Sequence, residues 1–131
     1  MKRNWTPDEL MDVWTLHPSE LEMINQARTD KNRLGIALLL KWFQYESRFP
    51  TRPQDVPPHI LRFLARQLAI SPDVLKQYTW QGRTIARHRV LVRTYLGFRE
   101  ATVEDGDHLT QWLVEFVLSQ ERREDALQEA L

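Results

Sequence analysis

The chain has 131 residues, and its 18 Lys and Arg residues balance 18 Asp and Glu residues, so the formal net charge is zero. This length predicts one compact domain or two very small ones, with a core large enough to need no cross-links. The absence of cysteine excludes disulfides and thiolate zinc sites, and it fits a reducing compartment. The longest apolar run, residues 36–40, is too short to span a membrane, and the start of the chain lacks the apolar core of a signal peptide. A neutral total by itself disfavours a nucleic-acid partner, because such proteins are usually basic.

Charge is distributed unevenly along the chain. Residues 1–56 carry eight basic and eight acidic side chains, whereas residues 57–99 carry eight basic and one acidic, a balance of +7. Residues 100–131 carry two basic and nine acidic side chains, a balance of −7. At physiological salt, charges more than about 8 Å apart are largely screened, so these blocks do not cancel unless they touch. The sequence therefore predicts a basic surface, and it leaves open whether the acidic block docks on it.

Helical periodicity runs through nearly all of the chain and no segment alternates with a period of two, which predicts an all-α fold. Residues 6–9 form a capping box with proline at the first helical position, and they predict a short helix that ends near Trp14. Pro18 begins a second helix. Asp30 is expected to cap a third, in which residues 34–45 are so apolar that most of the helix circumference must be buried.

Four prolines between residues 50 and 58 mark the best candidate for a domain boundary. Beyond them, a helix is predicted from Pro58, a short one from Ser71 and a longer one over 83–96, where Gly97 suits a left-handed helix end. Both halves of the chain are thus predicted to contain two short helices followed by a longer one. We predict a first helical bundle over 1–50, a second helix-turn-helix bundle with an arginine-rich helix over 51–100, and an acidic C-terminal helix over 101–131.

The segment 83–96 carries the strongest functional signal. On a helical wheel at about 100° per residue, its apolar residues gather on one arc and its arginines on the opposite arc, with Ala86 and Val90 between them. No acidic residue lies within the segment, whereas a solvated face normally mixes both signs. Compensation for this charge must come from outside the helix, either from phosphates or from the acidic block. The apolar arc comprises Thr84, Ile85, His88, Leu91, Val92, Tyr95 and Leu96, and the basic arc comprises Arg83, Arg87, Arg89 and Arg93.

Double-stranded DNA is the partner that this pattern favours. Arginine binds phosphate or the guanine edge through two parallel hydrogen bonds. A short helix, a turn that contains Gly82 and a longer helix match a helix-turn-helix, whose second helix enters the major groove. In this register the segment 83–96 reads the bases. The residues expected to hold the phosphate backbone are Arg66, Ser71, Lys76 and Arg99.

A second register competes with the first. Residues 64–78 also look like a helix-turn-helix core, with Ala65 at the close helix contact and Ala69 at the turn. In that register 71–78 is the reading helix, and Ser71, Lys76 and Gln77 point outward. The same apolar spacing is common in ordinary helical hairpins. The choice of reading helix stays open, and we prefer the arginine helix.

Two further sets of residues have both a functional and a structural interpretation. Lys31, Asn32 and Arg33, at the start of the third helix, are candidates for phosphate binding, and a solvated first turn explains them equally well. His88 is either a hydrogen-bonded core histidine or a DNA contact.

The sequence gives little support to catalysis or metal binding. No histidine has a second histidine three or four residues away, and the four glycines are isolated, so neither a helical metal pair nor a phosphate loop is present. The carboxylates fall at caps and on exposed helix faces. We therefore predict no catalytic residue, no metal, no cofactor and no small-molecule substrate.

Residues 32–50, 55–70 and 78–102 carry a family resemblance. They resemble the amino-terminal region of transposases of the Tn-three family of replicative transposons, and the likeness extends over nearly the whole chain. By that resemblance, tandem helix-turn-helix units similar to those of centromere-box-binding proteins recognise the terminal inverted repeats of the transposon. The most specific run comprises Gly82, Arg83, Thr84, His88, Arg89, Arg93, Leu96, Gly97, Phe98 and Arg99.

The resemblance also implies partners and a location. The partners are double-stranded DNA at transposon ends and the remainder of a transposase, in the bacterial cytoplasm at the nucleoid. The family's metal-dependent DDE catalytic region has no counterpart here, so we expect a fragment or a separately encoded module and no enzyme. The alternative is a protein-interaction module that pairs the basic and acidic blocks, and an enzyme is the third hypothesis.

Overall fold

The computed structural model describes the backbone of residues 2–101 and the side chains of residues 2–97. Within these residues, five α-helices and two 3-10 helices occur and no strand is present, which confirms the all-α prediction. The chain divides into two compact units, one that ends at Trp80 and one that begins at Gln81. The acidic helix predicted over 101–131 lies outside the described residues.

The first two helices begin where the sequence predicts. Helix α1 spans Pro7–Trp14, and helix α2 spans Pro18–Ile24. Before α1, the Thr6 hydroxyl accepts a hydrogen bond from the Glu9 amide at 3.2 Å, and the Glu9 carboxylate accepts one from the Thr6 amide at 3.0 Å. This reciprocal pair satisfies two backbone donors that would otherwise have no partner in the helix.

Helix α3 spans Asp30–Glu46 and forms the centre of the first unit. Its cap is Thr29, whose hydroxyl accepts a hydrogen bond from the Asn32 amide at 3.4 Å. The prediction that Asp30 is the cap was wrong by one residue, because Thr29 has the extended backbone that an N-cap requires and Asp30 is already helical. All side chains from residue 34 to 42 are buried, as the apolar run predicts.

The Pro-rich stretch lies inside the first unit. It contains a 3-10 helix, Pro53–Asp55, and leads into helix α4, Pro58–Leu68, which packs against α1 and α3. The first unit therefore extends beyond residue 50. After Ala69, which ends α4 at φ 57°, a second 3-10 helix spans Pro72–Gln77 and packs against α3 and α4. The short α-helix predicted from Ser71 is thus a 3-10 helix.

A buried ion pair lies within this apolar core. Lys41 Nζ is 2.7 Å from Glu20 Oε1, and the two side chains are 3% and 5% exposed. The Glu20 carboxylate also accepts hydrogen bonds from the His17 amide and from Gln44 Nε2, each at 2.8 Å. These contacts offset part of the desolvation of the carboxylate. The pair joins the start of α2 to the middle of α3.

A side-chain amide connects α4 to the segment between α1 and α2. Gln67 Oε1 accepts a hydrogen bond from the Leu16 amide at 2.7 Å, and Gln67 Nε2 donates to the Trp14 carbonyl at 3.0 Å. The Gln67 amide therefore satisfies the Trp14 carbonyl, which helix α1 leaves unpaired at its end, and the Leu16 amide that follows the helix.

The described part of the second unit is helix α5, Arg83–Ala101. Gly82 precedes it with φ 98°, a conformation that glycine adopts without a steric penalty. The prediction that the helix ends at Gly97 was wrong: Gly97 does not have a positive φ, and the helix continues for one further turn. Glycine at a helix end suits a left-handed residue, but inside a helix it is tolerated at a cost of about 1 kcal/mol relative to alanine.

Candidate nucleic-acid interface

Helix α5 has one buried and one exposed face. The exposed face is interrupted by small apolar side chains, and two of its four arginines are half-buried at its margins. Between residues 83 and 97 the helix contains no acidic residue. The helix therefore presents a positively charged surface on a rigid element. The buried residues are Ile85, His88, Leu91, Val92 and Tyr95; the exposed ones are Arg83, Ala86, Val90, Arg93 and Gly97; Arg87 and Arg89 are the half-buried arginines.

Thr84 and His88 are less exposed than Arg83 and Arg93. Thr84 is half-buried, and His88 is 1% exposed on the buried face. A buried imidazole does not reach a base edge without leaving its packing site. The burial of His88 favours the interpretation as a core histidine, and its contact with DNA stays a prediction. Arg99 lies in the last turn of α5, and its side chain is outside those described.

The second 3-10 helix places Ser71, Lys76 and Gln77 on the surface of the first unit. The Ser71 hydroxyl accepts a hydrogen bond from the Asp73 amide at 3.2 Å, and so it caps this helix. Lys76 Nζ lies 3.6 Å from Asp73 Oδ1 in an exposed pair of the kind that contributes at most about 1 kcal/mol. These residues are accessible to a phosphate, and their role stays a prediction.

Helix α4 adds exposed cations to the same unit. Arg66 is exposed, as a phosphate contact requires. Arg62 is also exposed, four residues earlier on the same helix face, and its guanidinium lies 2.9 Å from His59 Nδ1. Sequence reasoning missed Arg62 as a companion of Arg66, although the spacing of four was visible.

The first turn of α3 is more closely tied to the fold than the sequence suggests. Arg33 Nε donates to the Ala27 carbonyl at 2.9 Å, and its guanidinium lies 3.5 Å from Asp30. Lys31, Asn32 and Arg33 are all half-buried. Arg33 therefore has a structural role in holding the turn before α3, and phosphate binding by this group stays a prediction.

Two carboxyl groups of the first unit have lowered pKa values. Burial is the largest single influence on the pKa of Glu46 and raises it, but the hydrogen bond from Arg48 Nε at 2.9 Å and the nearby positive charges together outweigh it, so the net pKa lies below the ordinary range. For Asp55, desolvation raises the pKa, but the hydrogen bonds from Arg52 and Thr51, each at 3.2 Å, and the charge of Arg52 together outweigh it, so the pKa is again lowered. Both arginines compensate a carboxylate of their own unit.

The described part of the chain shows neither a metal site nor a membrane span. Among residues 2–97, no group of three or more His, Asp or Glu side chains could hold a metal ion. No helix within residues 2–101 is long and apolar enough to cross a membrane.

The fold and the charge on its surface define the class of protein. The described residues form an all-α module whose second unit presents an arginine-rich, amphipathic helix. The chain belongs to the family described as a domain of unknown function, DUF4158, whose model matches residues 1–131. No solved structure matches the chain.

Curated relatives of the chain are transposases. It is 37% identical over 93 residues to the transposase for transposon gamma-delta of Escherichia coli strain K12, a match that covers 70% of the chain and 9% of the relative. It is 28% identical over 115 residues to the transposase for transposon Tn3926 of Escherichia coli (88% of the chain, 12% of the relative). It is 26% identical over 92 residues to the transposase for transposon Tn1546 of Enterococcus faecium (70% and 9%).

These similarities confirm the resemblance to Tn-three family transposases and support a transposase-related role. The matched segment spans only about a tenth of the length of these relatives.

Proposed function

We propose that the chain binds double-stranded DNA sequence-specifically, at the terminal inverted repeats of a transposon, as the DNA-binding module of a transposase. The observation that carries the proposal is the exposed face of α5, where four arginines occur without an acidic residue between positions 83 and 97. The similarity to transposases supports the same conclusion, because such an enzyme must recognise the ends of its own element.

Helix α5 reads the major groove in this proposal. An α-helix with its side chains is about 10–12 Å across, and the groove is about 12 Å wide, so one helix fits with its exposed face toward the base edges. Its arginines bind guanine edges or the flanking phosphates through paired hydrogen bonds. The buried face stays in the protein core and fixes the helix in one rotational setting. The reading residues are Arg83, Arg87, Arg89 and Arg93.

Other cations supply contacts that do not depend on sequence. Arg66 and Lys76 are exposed in the first unit, and Arg99 follows in the last turn of α5. Contacts to phosphate position a protein on the duplex and carry no direct sequence information. In this proposal these residues set affinity and the arginines of α5 set specificity.

The chain acts without a catalytic centre of its own. Its match covers 9% to 12% of the transposases, which is consistent with a chain that lacks their catalytic region. Cleavage and strand transfer therefore belong to the remainder of a transposase, which is the protein partner. The setting is the bacterial cytoplasm, at the nucleoid.

The test is binding of the 131-residue chain to a labelled inverted-repeat duplex from the element that encodes it, against a scrambled duplex of the same composition at one fixed salt concentration. We expect preference for the inverted repeat. If about five phosphates are neutralised, log affinity falls against log salt with a slope of about −4 to −5. A slope near zero, or equal binding of both duplexes, contradicts the proposal.

A matched pair of double variants separates the reading face from net charge. Arg83→Ala/Arg93→Ala removes two exposed arginines of α5, and Arg3→Ala/Arg28→Ala removes two exposed arginines of the first unit that the proposal does not use. The first variant should lose most of the preference for the inverted repeat. The second should retain the preference and change the affinity only slightly.

The opposed charge blocks favour one alternative, a protein-interaction module. Residues 57–99 carry a balance of +7 and residues 100–131 a balance of −7, so copies of the chain could pair through them. Gel filtration at low and high salt distinguishes this function. An oligomer that dissociates at high salt, together with no preference among duplexes, supports the alternative.

A further inference from the structure

We infer that Val90 is a specificity-determining residue of this module, and that it contacts the C5-methyl group of a thymine in the major groove. The inference rests on the proposed DNA binding by α5. It deepens that function by assigning a base-reading role to an apolar side chain.

The exposure of Val90 sets it apart on its helix. The other Val, Leu and Ile side chains that the structure describes on α5 are buried or half-buried, whereas Val90 is 46% exposed. Valine is a poorer helix former than alanine or leucine, because branching at Cβ restricts its rotamers in a helix. Neither burial nor helix propensity therefore accounts for valine at this position.

The position of Val90 among the arginines indicates the partner. Arg87 and Arg93 are each three residues away and Arg83 is seven away, so all of them share its helix face. A helix face that carries three arginines around one apolar side chain is unfavourable for docking an apolar protein surface. It fits a ligand that is anionic at its edges and has apolar groups on its floor. The major groove is such a ligand, because thymine presents a methyl group between the two phosphate backbones.

The backbone geometry is suited to a close approach. The Thr94 hydroxyl donates to the Val90 carbonyl at 2.7 Å, so that side chain is turned back onto its own helix. Ala86, one turn earlier, is also exposed and small. The branched end of Val90 is therefore the most prominent apolar group on this face.

The experiment removes the two sides of the proposed contact separately: the C5-methyl group of thymine and the branched end of Val90. In the inverted-repeat duplex, each thymine is replaced in turn by deoxyuridine, which lacks only the C5-methyl group. Binding of wild-type chain, Val90→Ala and Met11→Ala is then measured at one salt concentration. Met11 is 62% exposed on α1 in the first unit, so its truncation controls for loss of surface apolar area outside the proposed interface. Circular dichroism checks that each variant is folded.

We expect one or two thymines at which deoxyuridine weakens wild-type and Met11→Ala binding about fourfold, the equivalent of one lost methyl contact, and leaves Val90→Ala binding unchanged. If all three proteins prefer the inverted repeat but no thymine shows an effect that depends on Val90, the inference is overturned and the proposed function stands. If the wild-type chain shows no preference for the inverted repeat, both are overturned.

Discussion

The aromatic ring of Tyr78 lies directly against the backbone of Gly35. A Cβ atom added to Gly35 would lie 2.3 Å from Tyr78 Cε1 and 2.5 Å from Cζ, far inside van der Waals contact. Gly35 is buried within α3, and Tyr78 follows the second 3-10 helix, which packs against α3. The absence of a side chain at residue 35 thus allows the end of the first unit to pack on its central helix.

Replacing Gly35 by alanine should destabilise the first unit. The added methyl group must displace a buried ring, and overpacking of this kind costs about 1–3 kcal/mol. Urea denaturation followed by circular dichroism measures the free energy of unfolding. The matched control is Gly97→Ala, where the added Cβ meets no atom of the described residues within 4 Å and where alanine favours the helix by about 1 kcal/mol. Equal stability of Gly35→Ala and wild type would show that the ring moves aside without cost.

Removal of one partner from the buried ion pair should be more damaging than removal of both. Lys41→Met leaves the Glu20 carboxylate without its cation, and Glu20→Gln leaves the Lys41 ammonium without its anion; each is expected to cost about 3–5 kcal/mol. The double variant retains the volume and leaves no uncompensated charge. Its free energy of unfolding should therefore lie closer to that of wild type than either single variant does. Strictly additive losses would contradict this, because a pair in contact must show coupling.

The pKa of Glu46 provides a local probe of the turn after α3. Burial raises this pKa most, and the hydrogen bond from Arg48 together with nearby positive charge lowers it further than burial raises it, so the net shift is downward. A carboxyl group with a lowered pKa stabilises the fold above its unfolded-state pKa, and that contribution is lost as the pH falls through the folded-state value. In Arg48→Gln, an NMR titration should show the Glu46 pKa shifted upward. Arg52→Gln is the control, since Arg52 is hydrogen-bonded to Asp55 and should leave Glu46 unchanged.

The proposed division between reading and anchoring residues is tested by two single variants. Arg87→Ala should reduce the preference for the inverted repeat, because an arginine that binds a base edge contributes about 1–3 kcal/mol of discrimination. Lys76→Ala should weaken binding to inverted-repeat and scrambled duplexes by the same factor and make the salt slope less negative by about one. If both variants change affinity and preference alike, the roles are assigned incorrectly.

The helix starts and the two faces of α5 were predictable because they depend on neighbours in the sequence. The capping box joins Thr6 and Glu9, three residues apart, and the faces of α5 follow from a period of 3.6 residues. The errors at Asp30 and Gly97 were also local. A cap residue one place earlier, or a glycine tolerated within a helix, gives almost the same sequence signal.

The sequence alone determined an all-α chain with one strongly basic helix, because backbone hydrogen bonding and helix periodicity act within four residues. Only the tertiary structure decided that Glu20 compensates Lys41, that Tyr78 packs on Gly35 and that the stretch after the prolines joins the first unit. The members of the two residue pairs lie more than 20 residues apart along the chain. Their pairing depends on how the helices pack around α3, because no local propensity distinguishes one distant partner from another.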